Sequence, residues 1–267
     1  MSNDSAKIAF IGAGNMATSL LAGLIQGGWK ASRIMIADPN PDQRERILSR
    51  YSVLSTDKNI DTIAFADIIV LSVKPQMMRQ VIEELVAASP NKLPLLISIA
   101  AGIRTENMQS WLGGNARLVR VMPNTPAIVQ SGASVLFASA DIDNEDRNSA
   151  ESILRSVGLA LWVDDESQLD AVTAISGSGP AYLFLVMEAL QAAGEKLGLP
   201  KKIATLLAIE TAFGASKMAL EREDPPAQLR QQVTSPGGTT ERALEVLAHG
   251  NFKELLIDAV CAAEERS

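Results

Sequence analysis

The chain has 267 residues, of which 47% are hydrophobic and 21% are charged, and its formal net charge at pH 7 is -7. This length is sufficient for one large domain or two ordinary ones, each with an apolar core. The acidic balance excludes the extended basic face that phosphate backbones require, so no nucleic-acid partner is expected.

The chain contains one cysteine, Cys261, and one histidine, His249. A single cysteine excludes an internal disulfide framework, and the two residues cannot supply a usual zinc cluster, so no metal is expected. His249 precedes Gly250 and is interpreted as a residue at a helix C-terminus. The N-terminal residues lack the form of a signal peptide, and no uninterrupted apolar run reaches ~18 residues. We therefore expect a cytoplasmic protein with no membrane partner.

Short apolar runs alternate with amphipathic segments in the first part of the chain. The predicted strands, in chain order, lie at 7–12, 33–38, 67–73, 95–100, 117–122, 133–138 and 159–163. The predicted helices between them lie at 15–28, 41–51, 75–89 and 144–158. Strands that barely alternate between apolar and polar residues are typical of a parallel sheet covered on both faces. Residues 1–163 are therefore predicted to form an α/β, doubly wound domain of the Rossmann type.

Helical periodicity replaces the strands after Asp164. The predicted helices lie at 166–177, 180–198, 201–223, 226–233, 239–250 and 251–266. The segment 180–193 is apolar nearly all round, which is typical of a helix buried on every side at a domain junction or a subunit interface. Residues 164–267 are therefore predicted to form an all-α C-terminal domain.

The sequence IAFIGAGNMATSLL carries a glycine-rich loop directly after the first predicted strand. It fits the pattern GxGxxG/A, in which the first glycine makes a tight turn and the second admits a pyrophosphate. The third small residue packs the helix on the strand. We therefore expect this loop to bind a dinucleotide. Its expected contacts are Gly12, Ala13, Gly14, Asn15, Met16 and Ala17.

Asp38 ends the second predicted strand, 24 residues after Gly14. A carboxylate there can accept hydrogen bonds from the adenosine ribose and would repel a 2′-phosphate, which favours NADH. Arg33, Arg44 and Arg46 are close in sequence and could compensate, so NADPH stays open as the cofactor.

Three further predicted strands end in segments that suit the rest of the cofactor, because ligands bind at the carboxyl ends of parallel strands. SVKPQ supplies a cation, SIAAG lets a flat ring approach closely, and MPNTP combines a fixed backbone with a side-chain amide. The expected contacts here are Ser72, Val73, Lys74, Pro75, Ala100, Ala101, Gly102 and Asn124.

Two segments of the helical half are rich in small residues. AISGSGPAY (174–182) permits close approach of a ligand or of another helix. TSPGGTTERALEVL (234–247) opens a helix with proline, glycines and threonines, an arrangement that presents bare N–H groups to an anion.

Seven segments together resemble the pyrroline-5-carboxylate reductases in order and approximate spacing, over residues 7–261. They are FIGAGNMA, SVKPQ, SIAAG, MPNTP, SGSGPAY, ASKMAL and TSPGGTTERAL. MPNTP and SPGGTT are far more specific than the glycine loop. The resemblance implies hydride transfer from NADH or NADPH to the C=N carbon of 1-pyrroline-5-carboxylate, which gives L-proline in the last step of its biosynthesis.

The resemblance also implies roles for individual residues. Thr240 would hydrogen-bond the ring nitrogen, and Glu223 would be the acidic residue near the imine, so these two are the expected catalytic residues. Asn59, by its spacing from Lys74, would contact the adenosine side of the cofactor. The residues expected to hold the substrate carboxylate are Ser235, Gly237, Gly238, Thr239 and Thr240.

The family builds its active site from two chains, which implies a homodimer or a higher homo-oligomer. Two other interpretations stay open. A 3-hydroxyacid-type dehydrogenase would carry a lysine four residues after the second glycine of a GxG segment, where this chain has Leu183. A non-enzymatic dinucleotide sensor would bind the cofactor without turnover of any imine.

Overall fold

The computed structural model describes residues 6–89, 93–114, 116–140 and 142–267. The chain divides into two compact units, one that ends at Gly177 and includes Ser267, and one that comprises Ser178–Arg266. The first unit is α/β and the second is entirely helical, as the sequence predicts.

The first unit contains an eight-stranded sheet. Its strands are β1 (Ile8–Ile11), β2 (Ile34–Ala37), β3 (Leu54–Thr56), β4 (Ile68–Leu71), β5 (Leu95–Ser98), β6 (Leu118–Met122), β7 (Gly132–Ala138) and β8 (Gly158–Trp162). Its α-helices are α1 (Asn15–Gln26), α2 (Pro41–Leu48), α3 (Asp61–Phe65), α4 (Pro75–Ala88), α5 (Thr105–Leu112), α6 (Asn144–Arg155) and α7 (Gln168–Val172). Short 3-10 turns occupy Ala31–Arg33 and Thr125–Val129, and a π-helical turn, Thr173–Gly177, follows α7.

The strand order is β3-β2-β1-β4-β5-β6-β7-β8, so the chain reverses its direction of winding between β1 and β4. Ligands bind at such a switch point in open α/β sheets. All neighbouring strands are parallel except β6 and β7, which are antiparallel. The predicted parallel sheet is therefore confirmed, with β7 as the antiparallel exception. The connection from β6 to β7 spans only residues 123–131, which is too short for a parallel crossover.

Both faces of the sheet are covered, as the apolar strands predict. Ile8 and Phe10 of β1 join a buried cluster with residues of α1 and α6. Ala9 and Ile11, the alternate residues of the same strand, join a second cluster with residues of α4 and α5. β1 pairs along its whole length with β2 and β4, and this pairing positions the loop that follows it.

The segment 164–177, which the sequence assigns to the helical domain, lies in the α/β unit instead. Glu166 accepts hydrogen bonds from the backbone N–H of Thr105 at 2.7 Å and from its hydroxyl at 2.6 Å. The guanidinium of Arg120 in β6, only 5% exposed, donates to the same carboxylate at 2.8 Å. Leu169 is fully buried. These contacts attach α7 to the sheet.

The second unit contains five helices: α8 (Gly179–Lys196), α9 (Lys201–Glu221), α10 (Pro226–Gln232), α11 (Thr239–His249) and α12 (Phe252–Glu264). Only Ala204 and Ala208 are buried among its residues. Phe184 and Leu185 of α8 are 64% and 66% exposed. The expectation that 180–193 is buried on every side is therefore not met within one chain.

Two helical stretches, Gln168–Lys196 and Lys201–Glu221, have the length and apolar composition to cross a membrane. Neither contains an uninterrupted apolar run of ~18 residues, because glycines and scattered polar residues interrupt both. Two such stretches are weak evidence for a membrane span.

Glu166→Gln is expected to lower the free energy of unfolding by about 1–3 kcal/mol, because it removes the nearer of the two carboxylates beside the buried Arg120 guanidinium and leaves only Asp170, at 4.0 Å. Burial raises the pKa of Glu166, but hydrogen bonds from Thr105 and Arg120 outweigh it and leave the pKa lowered. The stabilisation is therefore present above the ordinary glutamate pKa and is lost as the pH falls through the lowered folded pKa.

Urea unfolding of the wild type and of Glu166→Gln at about pH 7 and at about pH 4 measures this difference. The difference in the free energy of unfolding between the wild type and Glu166→Gln should be smaller at the lower pH. Glu106→Gln, at an exposed glutamate of α5, is the matched control and should change the free energy of unfolding by less than about 0.5 kcal/mol. Equal losses in the two variants would contradict a specific role for the buried pair.

Candidate active site

The glycine-rich loop begins where β1 ends. The N–H of Gly12 donates to the carbonyl of Ala37 at 2.8 Å. Gly12 has a φ of +95°, and a Cβ at this position would lie 2.7 Å from the carbonyl oxygen of Ser72. Only glycine fits both the backbone conformation and this close approach to the end of β4.

The N-terminus of α1 is open to an anion. Its N-cap is Gly14, and no side chain caps the helix. In the described parts of the chain, the first-turn N–H groups of Asn15, Met16 and Ala17 have no acceptor. No heavy atom lies within 4 Å of the position that a Cβ of Gly14 would take. This free space and these donors suit the pyrophosphate of a dinucleotide.

Asp38 lies at the end of β2 and is bonded to the glycine loop. One carboxylate oxygen accepts from the N–H of Ala13 at 2.8 Å, and the other accepts from the N–H of Asn40 at 2.9 Å. A carboxylate can accept about four hydrogen bonds, so capacity for ribose hydroxyls remains. The sequence motif predicts that Asp38 contacts the ribose. It gives no signal for the bond from Ala13 to Asp38, which joins residues 25 positions apart.

Two of the three neighbouring arginines reach the same end of the sheet. Arg44 donates to the carbonyl of Asp38 at 2.6 Å. Arg46 donates to the carbonyl of Ala13 at 3.0 Å and to the side chain of Asn15 at 3.3 Å. Arg46 thus touches the glycine loop itself, which its sequence position alone does not indicate.

Ser72 joins the end of β4 to the glycine loop. Its hydroxyl donates to the carbonyl oxygens of Gly12 and Ile11, at 2.7 and 2.9 Å. Val73 is partly buried, whereas Lys74 is exposed at the N-cap of α4, and Pro75 is the first residue of that helix. The lysine ammonium is therefore accessible at the carboxyl edge of the sheet.

The small residues after β5 present an open surface. Ala100 is buried, and Ala101 and Gly102 are exposed. Gly102 has a φ of +73°, with no heavy atom within 4 Å of the position of a Cβ. Asn59, after β3, is partly buried and donates from its side-chain amide to Glu84 at 2.9 Å.

Asn124 uses its side-chain amide within the protein. The oxygen accepts from the N–H of Ala133 at 2.8 Å, and the nitrogen donates to the carbonyl of Ser176 at 3.1 Å. Gly177 lies against Met122, so that a Cβ on this glycine would be 2.5 Å from the methionine methyl carbon. Asn124 therefore holds the π-helical turn at the end of β6. A cofactor could use only the remaining N–H and the remaining lone pair of this amide.

The loop before α11 has the form of a second anion site. Gly237 has a φ of +71°, and the N–H of Gly238 donates to the carbonyl of Ser235 at 3.0 Å. No side chain caps α11. Throughout the parts that the structure describes, the N–H groups of Thr239, Thr240 and Glu241 have no acceptor.

The hydroxyl groups of Ser235, Thr239 and Thr240 form no hydrogen bond in the described residues. Glu223 is exposed between α9 and α10, and no ion pair or hydrogen bond within those residues involves its carboxylate. Both predicted catalytic side chains are thus available to a ligand. Within a single chain, nothing described bonds one to the other.

The structure brings most of the predicted cofactor residues of the α/β unit to the carboxyl edge of the sheet. The described residues include no group of three or more histidine, cysteine, aspartate or glutamate side chains that could hold a metal ion. The individual roles of the predicted residues stay predictions.

Two family models match the chain. Residues 166–267 match pyrroline-5-carboxylate reductase dimerisation, and residues 7–102 match NADP oxidoreductase, coenzyme F420-dependent. The second match covers the glycine loop and the ends of β2, β4 and β5.

Individual proteins match over nearly the whole length. A pyrroline-5-carboxylate reductase of Pseudomonas aeruginosa is 48% identical, and the match covers 98% of this chain and 95% of the relative. The structure of a pyrroline-5-carboxylate reductase from Coxiella burnetii has a TM-score of 0.93 at 47% identity, covering 98% of this chain and 97% of the other. A Plasmodium falciparum pyrroline carboxylate reductase with NADP bound has a TM-score of 0.86 at 30% identity, with the same two coverages. The chain belongs to the pyrroline-5-carboxylate reductase family.

Proposed function

We propose that the chain reduces 1-pyrroline-5-carboxylate to L-proline with NADH or NADPH, in the last step of proline biosynthesis. Pyrroline-5-carboxylate reductases match it over 98% and 99% of its length. The observation that carries the proposal is a pair of helices whose N-caps are glycines and whose first-turn N–H groups are free, α1 after Gly14 and α11 after Gly238. They suit the two anionic groups of the reactants, the cofactor pyrophosphate and the substrate carboxylate.

The residues of the α/β unit fit a dinucleotide. The N-terminus of α1 would hold the pyrophosphate, and Asp38 and Asn59 would contact the adenosine side. Lys74 and the small residues from Ala100 to Gly102 would lie along the rest of the cofactor. When bound, NADH or NADPH supplies the hydride that reduces the imine.

The residues of the helical unit fit a small carboxylated ring. The N–H groups at the start of α11 and the hydroxyls of Ser235 and Thr239 would hold the carboxylate. The hydroxyl of Thr240 would bond the ring nitrogen and hold a proton there, and Glu223 would favour a protonated imine. A protonated imine accepts hydride without a nucleophile or a metal, so catalysis consists mainly of holding the two reactants in place.

The assembly that we propose is a homodimer or a higher homo-oligomer. The residues that match the dimerisation family contain many exposed apolar side chains, among them Leu185 and Phe213, which are 66% and 60% exposed. A partner subunit would cover them and would complete the active site. We propose a cytoplasmic location, with neither nucleic acid nor membrane as a partner.

The alternatives have less support. The apolar Leu183 takes the position at which a 3-hydroxyacid-type dehydrogenase needs a lysine, and a leucine cannot remove a proton from a hydroxyl. A non-enzymatic sensor has no need of an anion site at the start of α11 or of the free hydroxyls of Ser235, Thr239 and Thr240. Following NADH and NADPH oxidation in parallel with purified protein and 1-pyrroline-5-carboxylate tests the reaction. Cofactor binding without proline formation would favour the sensor.

Gly14→Ala is expected to weaken NADH binding at least about 10-fold, because the added methyl group takes the space meant for the pyrophosphate. The fold should be unaffected, with Tm unchanged within about 2 °C, since a Cβ at this position meets no protein atom. Fluorescence titration and thermal unfolding measure the two quantities. Undiminished affinity would place the pyrophosphate elsewhere.

Asp38→Asn is expected to raise the ratio of kcat/KM for NADPH to that for NADH about 10-fold, since it removes a negative charge beside the 2′-phosphate. The amide oxygen can still accept from the N–H of Ala13 in the glycine loop, whereas the bond from the N–H of Asn40 is lost for both cofactors alike. Asp42→Asn, at an exposed carboxylate in the first turn of α2, is the control and should leave the ratio unchanged. A constant ratio in Asp38→Asn would show that Asp38 does not face the ribose.

Thr240→Ala is expected to lower kcat/KM for the imine about 100-fold while the Kd for NADH changes less than about 2-fold, because only the ring nitrogen loses its partner. Thr240→Ser keeps the hydroxyl and should retain most of the activity. Steady-state kinetics and cofactor titration distinguish the two effects. Equal losses in turnover and cofactor affinity would remove Thr240 from the imine site.

A further inference from the structure

The loop before α11 already holds a carboxylate of its own. The N–H of Gly237 donates to one carboxylate oxygen of Glu241 at 2.6 Å. Glu241 lies in the first turn of α11 and is partly buried. Its side chain therefore reaches back over the N-terminus that we propose for the substrate.

This bond fixes a backbone that would otherwise have more freedom. Gly237 is in the left-handed region, and its neighbour Gly238 is bonded to Ser235. Two glycines in succession lose more conformational entropy on ordering than other residues do. The Glu241 side chain therefore keeps the loop in the shape that leaves the N–H groups of Thr239 and Thr240 free.

The same carboxylate also opposes a second anion. A negative charge in the first turn is favourable at a helix N-terminus because it neutralises part of the positive end of the helix dipole. A substrate carboxylate bound one or two residues further along would meet a weaker positive potential and a like charge. By ordering the loop, Glu241 raises the affinity for the substrate carboxylate. By its negative charge, it lowers that affinity.

We propose that Glu241 is a positioning residue that sets the substrate affinity of the α11 loop through these two opposing effects. It orders the N–H groups for the substrate carboxylate, and its charge weakens their hold on it. The proposal rests on the proposed function, since it takes the substrate to be a carboxylate bound at this helix.

Two variants separate the effects. Glu241→Gln keeps an oxygen that can accept from the N–H of Gly237 but removes the charge, so KM for 1-pyrroline-5-carboxylate should fall about 3- to 10-fold with kcat nearly unchanged. Glu241→Ala removes both the charge and the bond, so its KM should lie at least about 5-fold above that of Glu241→Gln. The Kd for NADH should be the same in both variants and in the wild type.

Two controls test the cause. Glu245→Gln removes a charge from an exposed side chain one turn further along α11 and should leave KM unchanged. Inhibition by L-proline should strengthen in Glu241→Gln, whereas inhibition by pyrrolidine, which lacks the carboxylate, should not strengthen. Thermal unfolding of each variant checks that the fold is retained.

The outcomes distinguish a failure of the proposed function from a failure of the role of Glu241. A wild type that turns over no imine overturns the proposed function and this inference with it. A wild type that forms proline, with identical KM values for the Gln and Ala variants or with no change in Glu241→Gln, overturns the role of Glu241 alone.

Discussion

The first turn of an α-helix leaves backbone N–H groups without acceptors inside the helix, and the chemistry of this protein depends on how each helix meets that constraint. In α2 the side chain of Asn40 accepts from the second helical residue, and in α6 the side chain of Asp143 accepts from the third. Most other helices also lack a side-chain cap, but among the described α-helices only α1 and α11 begin after glycines, which have no side chain to offer. These two helices retain free donors, and they follow the two loops with the most distinctive sequences in the chain.

The position of the first free N-terminus follows from the sheet. The pairing of β1 with β2 and β4 places its end between them, and the close approach of Gly12 to Ser72 brings the end of β4 against the loop. Asp38 then bonds the loop to the end of β2. Three strands that are distant in sequence thus determine where the donors of α1 point, and a cofactor can bind there without ordering a flexible loop first.

Much of this architecture could be predicted from the sequence because local patterns carry it. Apolar runs predict the seven longer strands, and glycine and proline placement predicts the two loops. The three-residue β3 and the five-residue α3 are missed because they are too short to show a period, and the eight-residue α5 is missed as well. The strand β7 is predicted but its antiparallel direction is not, because that direction depends on a connection of irregular structure. The contacts of Arg46 with Ala13 and of Glu166 with Arg120 join residues far apart in the chain, which no local pattern records.

The bond from Gly237 to Glu241 is different, since a glutamate in the first turn after a glycine loop is a signal that a sequence can show.

The sparse burial in the second unit has a consequence for how the protein persists in solution. With two alanines as its only buried residues, this unit has too little apolar surface removed from water to offset the entropy of ordering five helices. Association with a partner subunit would add to this buried surface, and the stability of the unit would then rise with the concentration of subunits. At a low concentration of subunits, the helical unit would be cleaved by proteases before the α/β unit. The concentration of intact enzyme would therefore rise more than linearly with the rate of synthesis.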